Sequence, residues 1–302
     1  MKPSMERKSV EIRRLADCTF RQAVELWNLG FAGYYSDMTL TLDQFVAKLA
    51  SESIRPELSV AAFIGSEPAG FVLVAVKEVE GVNLAWNGGT GVHPAHRGKG
   101  LAKLLMREAI AAMKEGGAET AFLEVVQKNA GAIAAYENAG FRVCDELIGM
   151  KRIGALNGVS SVHPFATEAY STARAKPQEM TKLPFFRHET AWTSAWFHLK
   201  DAEGIVVLDR EGVIVAYALT RRTYGENGKL LGTTLFQCAA EPSRPDRKEL
   251  LGTVLAEAFG PPDEACQRSV SNLSISDPAV IEWLEAAGFE TVYTQYLMIA
   301  KL

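Results

Sequence analysis

Apolar and polar positions follow two periods along the first half of the chain. Short runs with a period of two residues predict strands, and longer segments with apolar residues every three or four positions predict helices. In residues 20–31, Val24 and Trp27 fall on one helical face, after Asp17 or Thr19 as the N-cap. The predicted strands are 9–15, a hairpin over 58–76 that turns at 65–68, 82–92, 119–127 and 141–147, and the predicted helices are 20–31, 41–50, 101–115 and 130–139.

This order of elements predicts an α/β fold with a mixed sheet and helices on both faces (α+β in its strand pairing). The second half repeats part of the pattern. Residues 132–141 (AIAAYENAGF) return as 280–289 (VIEWLEAAGF), an offset of 148 residues, and at the same offset Pro94 meets Pro242 and Asn129 meets Asp277. A repeat of this length indicates domain duplication rather than a solenoid. We therefore expect two domains, 1–153 and 154–302, with a chance match as the alternative.

Composition narrows the class of protein. A chain of 302 residues has room for two domains, and its net charge of -4 provides no basic field for nucleic acid. No apolar run reaches membrane-spanning length, and the first residues, MKPSMERKSVEIRR, contain no apolar signal segment. The four cysteines are far apart, without metal-ligand spacing. These observations favour a cytoplasmic protein that binds no metal, no nucleic acid and no membrane.

The segment GVHPAHRGKGLAKLL, residues 91–105, predicts an anion site at a helix start. Gly98 and Gly100 would expose backbone N–H groups there, and Arg97 and Lys99 add positive charge. The alternative is a solvated basic turn. Neither a P-loop nor a dinucleotide fingerprint fits, because Lys99 is followed by glycine and position 103 is lysine.

Two motifs in this order resemble the GNAT superfamily of N-acetyltransferases. One is R-x-x-G-x-A, formed by Arg97, Gly100 and Ala102; the other is N-x-x-A-x-x-x-Y-x-x-x-G-F, over residues 129–141. The resemblance implies two tandem domains, each a twisted, mostly antiparallel sheet flanked by helices, and acetyl-CoA as cosubstrate. It implies a cofactor site that is formed by Val92, Arg97, Gly98, Lys99, Gly100, Leu101, Ala102 and Asn129.

The catalytic and acceptor residues follow from the same resemblance. Tyr136 would be the acid that protonates the departing thiolate; without the motif it would be an ordinary core aromatic. The glutamate that many of these enzymes carry on the strand before the loop is absent from residues 82–92. Glu124 on the next strand is the nearest candidate base, with a hydrogen-bonded strand residue as the alternative. Tyr34, Asp37 and Trp86 are candidate acceptor-binding residues, although aromatic clusters more often form the core.

The second domain lacks both motifs. At the 148-residue offset, Lys248 replaces Gly100, Leu250 replaces Ala102 and Leu284 replaces Tyr136. We therefore expect one acetyl-CoA site per chain, in the first domain, and a degenerate second domain. The aromatic segment 184–199 is interpreted as core, with a cap over the acceptor site or a homodimer face as alternatives.

The function predicted from the sequence is acetyl transfer from acetyl-CoA to a primary amine of a small molecule or peptide, by direct attack in a ternary complex. The main alternative is a non-catalytic sensor of acyl-CoA. A protein that uses two degenerate domains only for interaction is the third hypothesis. The sequence does not identify the acceptor amine.

Overall fold

The computed structural model describes residues 9–156 and 169–302. The chain forms two compact units. The first unit is Met1–Val143 together with Met298–Leu302, and the second unit is Cys144–Leu297. Among the described residues, no helix is long and apolar enough to cross a membrane.

From residue 9 to residue 126, the first unit contains five strands, which are neighbours in sequence order. Neighbours are antiparallel from the first strand to the fourth, and the fourth and fifth are parallel. This mixed, mostly antiparallel arrangement confirms the predicted fold class. The strands are β1 (Val10–Arg14), β2 (Val60–Ile64), β3 (Glu67–Val79), β4 (Val82–Val92) and β5 (Thr120–Val126).

In the described part of this unit, four α-helices pack around the sheet. Thr19 and Thr41 are the N-caps of the first two helices, and each forms a capping box. The threonine side chain accepts a hydrogen bond from the N3 backbone N–H, and the side chain of the N3 glutamine accepts one from the threonine backbone N–H. Of the two N-caps predicted for the first helix, Thr19 is therefore the one found. The helices are α1 (Phe20–Gly30), α2 (Leu42–Ser51), α3 (Leu101–Glu115) and α4 (Ala130–Asn138).

Helices α1 and α3 pack on opposite faces of β3. The side chain of Leu105 in α3 lies over Gly70, whereas Gly30 at the end of α1 lies against the Phe71 ring. Neighbouring residues of a strand point to opposite faces of a sheet, so the two helices enclose it. Leu105 and Phe71 are almost completely buried, and α3 follows β4 through the loop that the sequence marks as an anion site.

The second unit repeats the order of strands and helices. Its elements are β6 (Arg142–Gly154), β7 (Ser171–Ala175), α5 (Pro177–Met180), β8 (Glu203–Leu208), β9 (Ile214–Tyr224), β10 (Leu230–Ala240), α6 (Arg247–Phe259), β11 (Cys266–Ser274), α7 (Pro278–Ala286) and β12 (Glu290–Lys301). Strands β7 to β10 are antiparallel in sequence order, and β10 and β11 are parallel, as β4 and β5 are.

Strand β6 pairs antiparallel with β11, from Cys266 opposite Gly154 to Ser274 opposite Leu147. It therefore lies in the sheet of the second unit, although its sequence position suggests the closing strand of the first domain. The boundary between units accordingly falls at residues 143 and 144, ten residues before the division expected from the sequence. The chain returns to the first unit only for its last five residues, where the Leu302 N–H donates to the Glu119 carbonyl.

Two apolar clusters enclose the sheet of the second unit. One lies under α6 and α7, and the other under α5 and the aromatic segment that precedes β8. Alternate residues of β8 divide between them: Ile205 and Val207 face the first cluster, and Val206 faces the second. The aromatic segment 184–199 is thus largely core, as its main interpretation predicts.

Candidate active site

Strands β4 and β5 part in the middle of the first unit. Their parallel pairing runs from Leu84 opposite Thr120 to Trp86 opposite Phe122, and among the described residues it ends there. Both strands continue, to Val92 and Val126. We call residues 87–92 of β4 and 123–126 of β5 the strand gap. Backbone N–H and C=O groups that face this gap have no ladder partner across it and are available to a ligand.

A bulge in β4 opens the strand gap. The register with β3 shifts between the Leu73–Gly89 pair and the Val74–Asn87 pair. The Asn87 side chain closes the bulge, because its Oδ1 accepts from the Gly89 N–H at 3.1 Å and its Nδ2 donates to Thr90 Oγ1 at 2.8 Å. A bulge re-aims the strand that carries it. The sequence analysis missed Asn87 and Thr90, for which the only signal is a polar pair within the glycine-rich stretch NGGTG.

The N–H of Val92 points into the strand gap. The next N–H along the chain, that of His93, donates to the Ala69 carbonyl of the antiparallel neighbour at 2.9 Å. Successive N–H groups of a strand point to opposite sides. The Val92 N–H therefore points away from β3, toward the side from which β5 has departed.

The loop from residue 93 to residue 100 leads directly into α3. Gly98 and Gly100 have φ angles of 72° and 83°, in the left-handed region that favours glycine. Apart from the adjacent residues of the chain, a Cβ at either position would meet no atom of the described residues within 4 Å. Gly100 is the N-cap of α3 and offers no side-chain hydrogen bond to it. The first N–H groups of α3 thus face open space, as an anion site requires.

Arg97 and Lys99 hold this loop by hydrogen bonds to carbonyl oxygens. The Arg97 guanidinium donates to Val92 at 2.9 Å, to Gly30 at 3.1 Å and to Ala32 at 2.8 Å, so that it joins the end of β4 to the end of α1. Lys99 Nζ donates to the Ala95 carbonyl at 2.7 Å. Both side chains are exposed beside the helix start.

Tyr136 projects from α4 toward the bulge. It is only 7% exposed, and burial raises the pKa of its phenol to about 12, with hydrogen bonding to Thr90 and Asn87 opposing the rise. Its hydroxyl therefore lies beside the strand gap and stays protonated at neutral pH. Asn129, the N-cap of α4, accepts from the Ala132 N–H through its side chain at 3.2 Å.

The loop between α1 and α2 lies over the start of α4. Burial raises the pKa of the Tyr34 hydroxyl, and hydrogen bonding to Asn129 opposes that rise. The Tyr35 hydroxyl donates to the Lys128 carbonyl at 3.1 Å. Through Tyr34, the loop brings an aromatic side chain to the same polar cluster as Asn129 and Tyr136.

The side chains of Glu124 and Trp86 contact each other where the pairing of β4 and β5 ends. The indole N–H donates to Glu124 Oε2 at 2.7 Å, and both side chains are at least half buried. The structure therefore brings together one acceptor-site candidate and the candidate base. Asp37, in contrast, is exposed, and its carboxylate accepts from the Thr39 N–H at 2.9 Å, which lowers its pKa.

A groove with a volume of about 460 Å³ runs from Gly100 between α3 and α4. Its basic residues, Lys103 and Arg107, are four positions apart and therefore share one face of α3. The sequence analysis did not single them out, although their i, i+4 spacing after the glycine loop is a signal. The other lining residues are Leu104, Ile110, Ala135, Asn138 and Ala139.

The second unit has a corresponding gap, which its own residues fill. The parallel pairing of β10 and β11 ends at Leu235 opposite Val270, and both strands continue. Ser194 lies between them, fully buried: its carbonyl accepts from Gln237 Nε2 at 3.0 Å, and its hydroxyl donates to the Ser271 carbonyl at 3.2 Å. We call residues 191–195, which are buried except for the half-buried Thr193, the plug segment.

The helix start of the second unit also differs. The N-cap of α6 is Asp246, and the carboxylate accepts from Arg244 at 3.0 Å and 3.1 Å and from the Tyr170 hydroxyl. Leu284, which corresponds to Tyr136, is fully buried. Over the described part of the chain, no group of three or more His, Cys, Asp or Glu side chains could hold a metal ion.

Comparison with known proteins places these features in a family. Residues 20–141 match the Acetyltransferase (GNAT) family. Over 90 residues, the chain is 38% identical to streptothricin acetyltransferase of Streptomyces lavendulae. That match covers 28% of this chain and 44% of the relative, so less than half of the relative's length is represented.

Solved structures share the fold over nearly the whole chain. A GCN5-related glucosamine N-acetyltransferase region of a fungal multi-domain β-N-acetylglucosaminidase has a TM-score of 0.67 and 19% identity, over 96% of this chain and 38% of that one. A GCN5-related N-acetyltransferase of Sphaerobacter thermophilus has a TM-score of 0.62 and 15% identity, over 97% of this chain and 95% of that one. A tandem GNAT protein of clavulanic acid biosynthesis has a TM-score of 0.58 and 15% identity, over 97% and 98%. The chain therefore has the fold of the tandem GNAT proteins, and residues 20–141 of its first unit match the Acetyltransferase (GNAT) family.

Proposed function

We propose that this protein is an N-acetyltransferase that moves the acetyl group of acetyl-CoA to a primary amine by direct attack in a ternary complex. The observation that carries the proposal is the strand gap, which lies beside an uncapped helix start and is flanked by Tyr136 and Glu124. A second gap in the chain is filled by the plug segment, so we propose one active site per chain.

The first-unit loop fits the pyrophosphate of acetyl-CoA. Open space above Gly98 and Gly100 is what a phosphate needs to approach bare backbone, and the α3 N-terminus favours negative charge. Leu101 and Ala102 contribute N–H groups of the first helical turn, while Lys99 and Arg97 contribute positive charge. The groove that begins at Gly100 is placed to receive the nucleotide end. Bound acetyl-CoA supplies an activated acyl group as a thioester.

The Val92 N–H is the group that would stabilise the thioester oxygen as negative charge develops on it. A fixed backbone donor needs no reorganisation during the reaction, and the loss of one such donor typically costs 10²–10³ in rate, or roughly 3–4 kcal/mol. Since this donor belongs to the main chain, its position depends on the bulge at Asn87 and on the Arg97 bonds to Val92, Gly30 and Ala32.

Glu124 is proposed as the group that takes a proton from the acceptor amine. An alkyl ammonium with a pKa of about 10 is almost entirely protonated at neutral pH and cannot attack until it loses a proton. Glu124 lies at the edge of the strand gap, on the strand that faces Val92, and is held there by Trp86. Among the cysteines, Cys18 of the first unit is a poor alternative nucleophile, because burial raises its pKa and its thiol donates to the Arg14 carbonyl.

Tyr136 is proposed as the acid that gives a proton to the departing thiolate. With a pKa raised to about 12 by burial, its phenol is fully protonated in the physiological range. A thiol with a pKa of about 8.5 is already a fair leaving group, so we assign a smaller share of the acceleration to this proton than to positioning. Asn129 is proposed to contact the same coenzyme arm while it caps α4.

The acceptor is proposed to be a small cationic amine, with a peptide amine as the alternative. The relative named streptothricin acetyltransferase supports a small molecule, because this chain is 38% identical to it over 90 residues. The α1–α2 loop with Tyr34 and Asp37 is the surface on which we place the acceptor. A cytoplasmic location, where acetyl-CoA is available, completes the proposal.

The first experiment measures binding and turnover separately. Acetyl-CoA should raise the melting temperature of the wild-type protein by mass action. Gly100→Glu, which places bulk and negative charge at the helix start, should abolish that shift. Gly81→Glu is the matched control, because Gly81 has a φ of 82° and open space around it but lies on the turn between β3 and β4. If both variants lost the acetyl-CoA-dependent rise in melting temperature equally, the effect of Gly100→Glu would be general backbone strain.

Turnover is measured as release of free thiol from acetyl-CoA with a panel of primary amines that includes streptothricin, spermidine and lysine amide. Amine-dependent release would support the enzyme. Binding of acetyl-CoA without release for any amine would instead support the alternative of an acyl-CoA sensor. The absence of binding in the wild type would overturn both.

A further inference from the structure

Trp86 and Glu124 form a fixed pair at the mouth of the strand gap. Trp86 is opposite Phe122 in the last paired rung, and Glu124, two residues farther along β5, points to the same face as Phe122. The indole Nε1 donates to Glu124 Oε2 at 2.7 Å, at the short end of the range for N–H···O bonds. Trp86 is 5% exposed, so this bond is largely shielded from water.

The Trp86 ring is tightly packed against the residues beside it. A Cβ added to Gly88 would lie 2.6 Å from the Trp86 ring and 2.7 Å from the Ile54 side chain. The ring therefore packs directly on the bare backbone of the bulge, beside Ile54. Because a larger residue at position 88 would displace the ring, the glycine of the bulge also fixes the direction of the indole N–H.

An ion pair from the α2 segment lies beside the same ring. Lys48 Nζ is 5.9 Å from the Trp86 ring centre and 5.0 Å from that of Trp27, and it bonds to Glu52 Oε2 at 2.5 Å. The side chains of Lys48 and Glu52 are each 19% exposed. An ammonium over an indole is attracted by the ring and holds its orientation. From β3, Lys77 lies on the face of Trp86, two residues beyond its partner Ala75.

We propose that Trp86 is a positioning residue for the base: its N–H holds one oxygen of Glu124, and Gly88 and the Lys48–Glu52 pair hold the indole. This gives Trp86 a role other than the acceptor contact predicted from the sequence. The inference rests on the proposed function, in which Glu124 takes the proton of the amine. It assigns to Lys48 and Glu52, which no motif marks, a part in the reaction through Trp86.

The physical consequence concerns the ionised form of Glu124. A hydrogen bond to a carboxylate favours its charged form, and so does the nearby ammonium of Lys48. Removal of the indole N–H therefore raises the pKa of the carboxyl group. Removal of the Lys48 charge raises it by less, because the ammonium is paired with Glu52, which partly offsets its positive charge.

The test uses NMR of the protein labelled with ¹⁵N in its five tryptophan indoles. Trp86→Phe removes one indole resonance and so identifies Trp86. In the wild type we expect that resonance to move with pH in one step in the acid range. In Glu124→Gln the resonance should remain but lose that step. Lys48→Met should raise the midpoint by a few tenths of a unit, and Lys114→Met, which removes an exposed charge at the end of α3, should not.

Kinetics separate this inference from the proposed function. Thiol release from acetyl-CoA with streptothricin as the probe is followed against pH. Trp86→Phe should shift the acid limb of kcat/KM upward by about 1 unit. Trp27→Phe should not shift it, because the Trp27 N–H donates to the Met38 carbonyl. Full activity of Glu124→Gln would overturn the assignment of the base. A Trp86 resonance that ignores pH, or that moves equally in Glu124→Gln, would overturn the positioning role even if Glu124 is essential.

Discussion

Gly100 and Asp246 hold the same structural position in the two units, although the 148-residue offset of the sequence aligns Gly100 with Lys248. Each is the N-cap of the helix that follows the strand with parted ends, α3 in the first unit and α6 in the second. Gly100 leaves the helix start open, whereas Asp246 places a carboxylate there and binds it to Arg244 and Tyr170. An anionic ligand is favoured at the first position and repelled at the second. The duplicated fold thus presents two helix starts with opposite charge preference.

The number of acetyl-CoA molecules bound per chain tests this difference between the two helix starts. We expect calorimetric titration to give one acetyl-CoA per wild-type chain and none for Gly100→Glu. Asp246→Gly should still give one, because Ser194 continues to bridge Gln237 and Ser271 in the second gap. Two sites in Asp246→Gly would show that the carboxylate alone excludes the coenzyme and that the plug segment does not.

Tyr136→Phe tests the proposed acid. The variant should bind acetyl-CoA as the wild type does and lose about 10- to 100-fold in kcat, the low end of the range for general acids, since the thiolate leaves readily. With a pKa of about 12, the phenol is protonated below that pH, so no basic limb due to Tyr136 should occur below about pH 11. Tyr224→Phe, at an exposed tyrosine of β9, is the control. Unchanged kcat in Tyr136→Phe would leave the residue as a core aromatic.

Arg97→Ala tests whether this side chain positions the loop. The guanidinium fork reaches three carbonyl oxygens at once, which neither alanine nor the single ammonium of lysine can reproduce. We expect Arg97→Ala and Arg97→Lys both to weaken acetyl-CoA binding several-fold. If Arg97 instead acted only through its charge, Arg97→Lys would bind as the wild type does. Arg21→Ala, at an exposed arginine of α1, controls for the loss of a surface charge.

The sequence predicted the order of the helices and strands, but not which distant strands pair with each other. Element order, the Thr41 cap and the glycine loop follow from local patterns, and they appear where expected. The partner of β6 depends on a contact with β11, more than a hundred residues away, and local patterns carry no information about it. The same holds for Ser194, which looks like an ordinary residue of an aromatic segment until the gap between β10 and β11 is known.

Lys103 and Arg107 test the groove between α3 and α4. They line it together with Asn138, and the Arg107 guanidinium also donates to the Glu108 carboxylate at 2.8 Å. CoA carries a 3′-phosphate that dephospho-CoA lacks, so a cationic pair in the groove should favour CoA. In the double variant Lys103→Ala and Arg107→Ala, we expect the affinity for CoA to fall about 10-fold, as for the loss of one charged contact, while that for dephospho-CoA changes little. The two dissociation constants are measured by calorimetry, with Lys114→Ala as the control. An equal loss for both ligands would mean that these cations contribute only a general attraction and that the 3′-phosphate lies elsewhere.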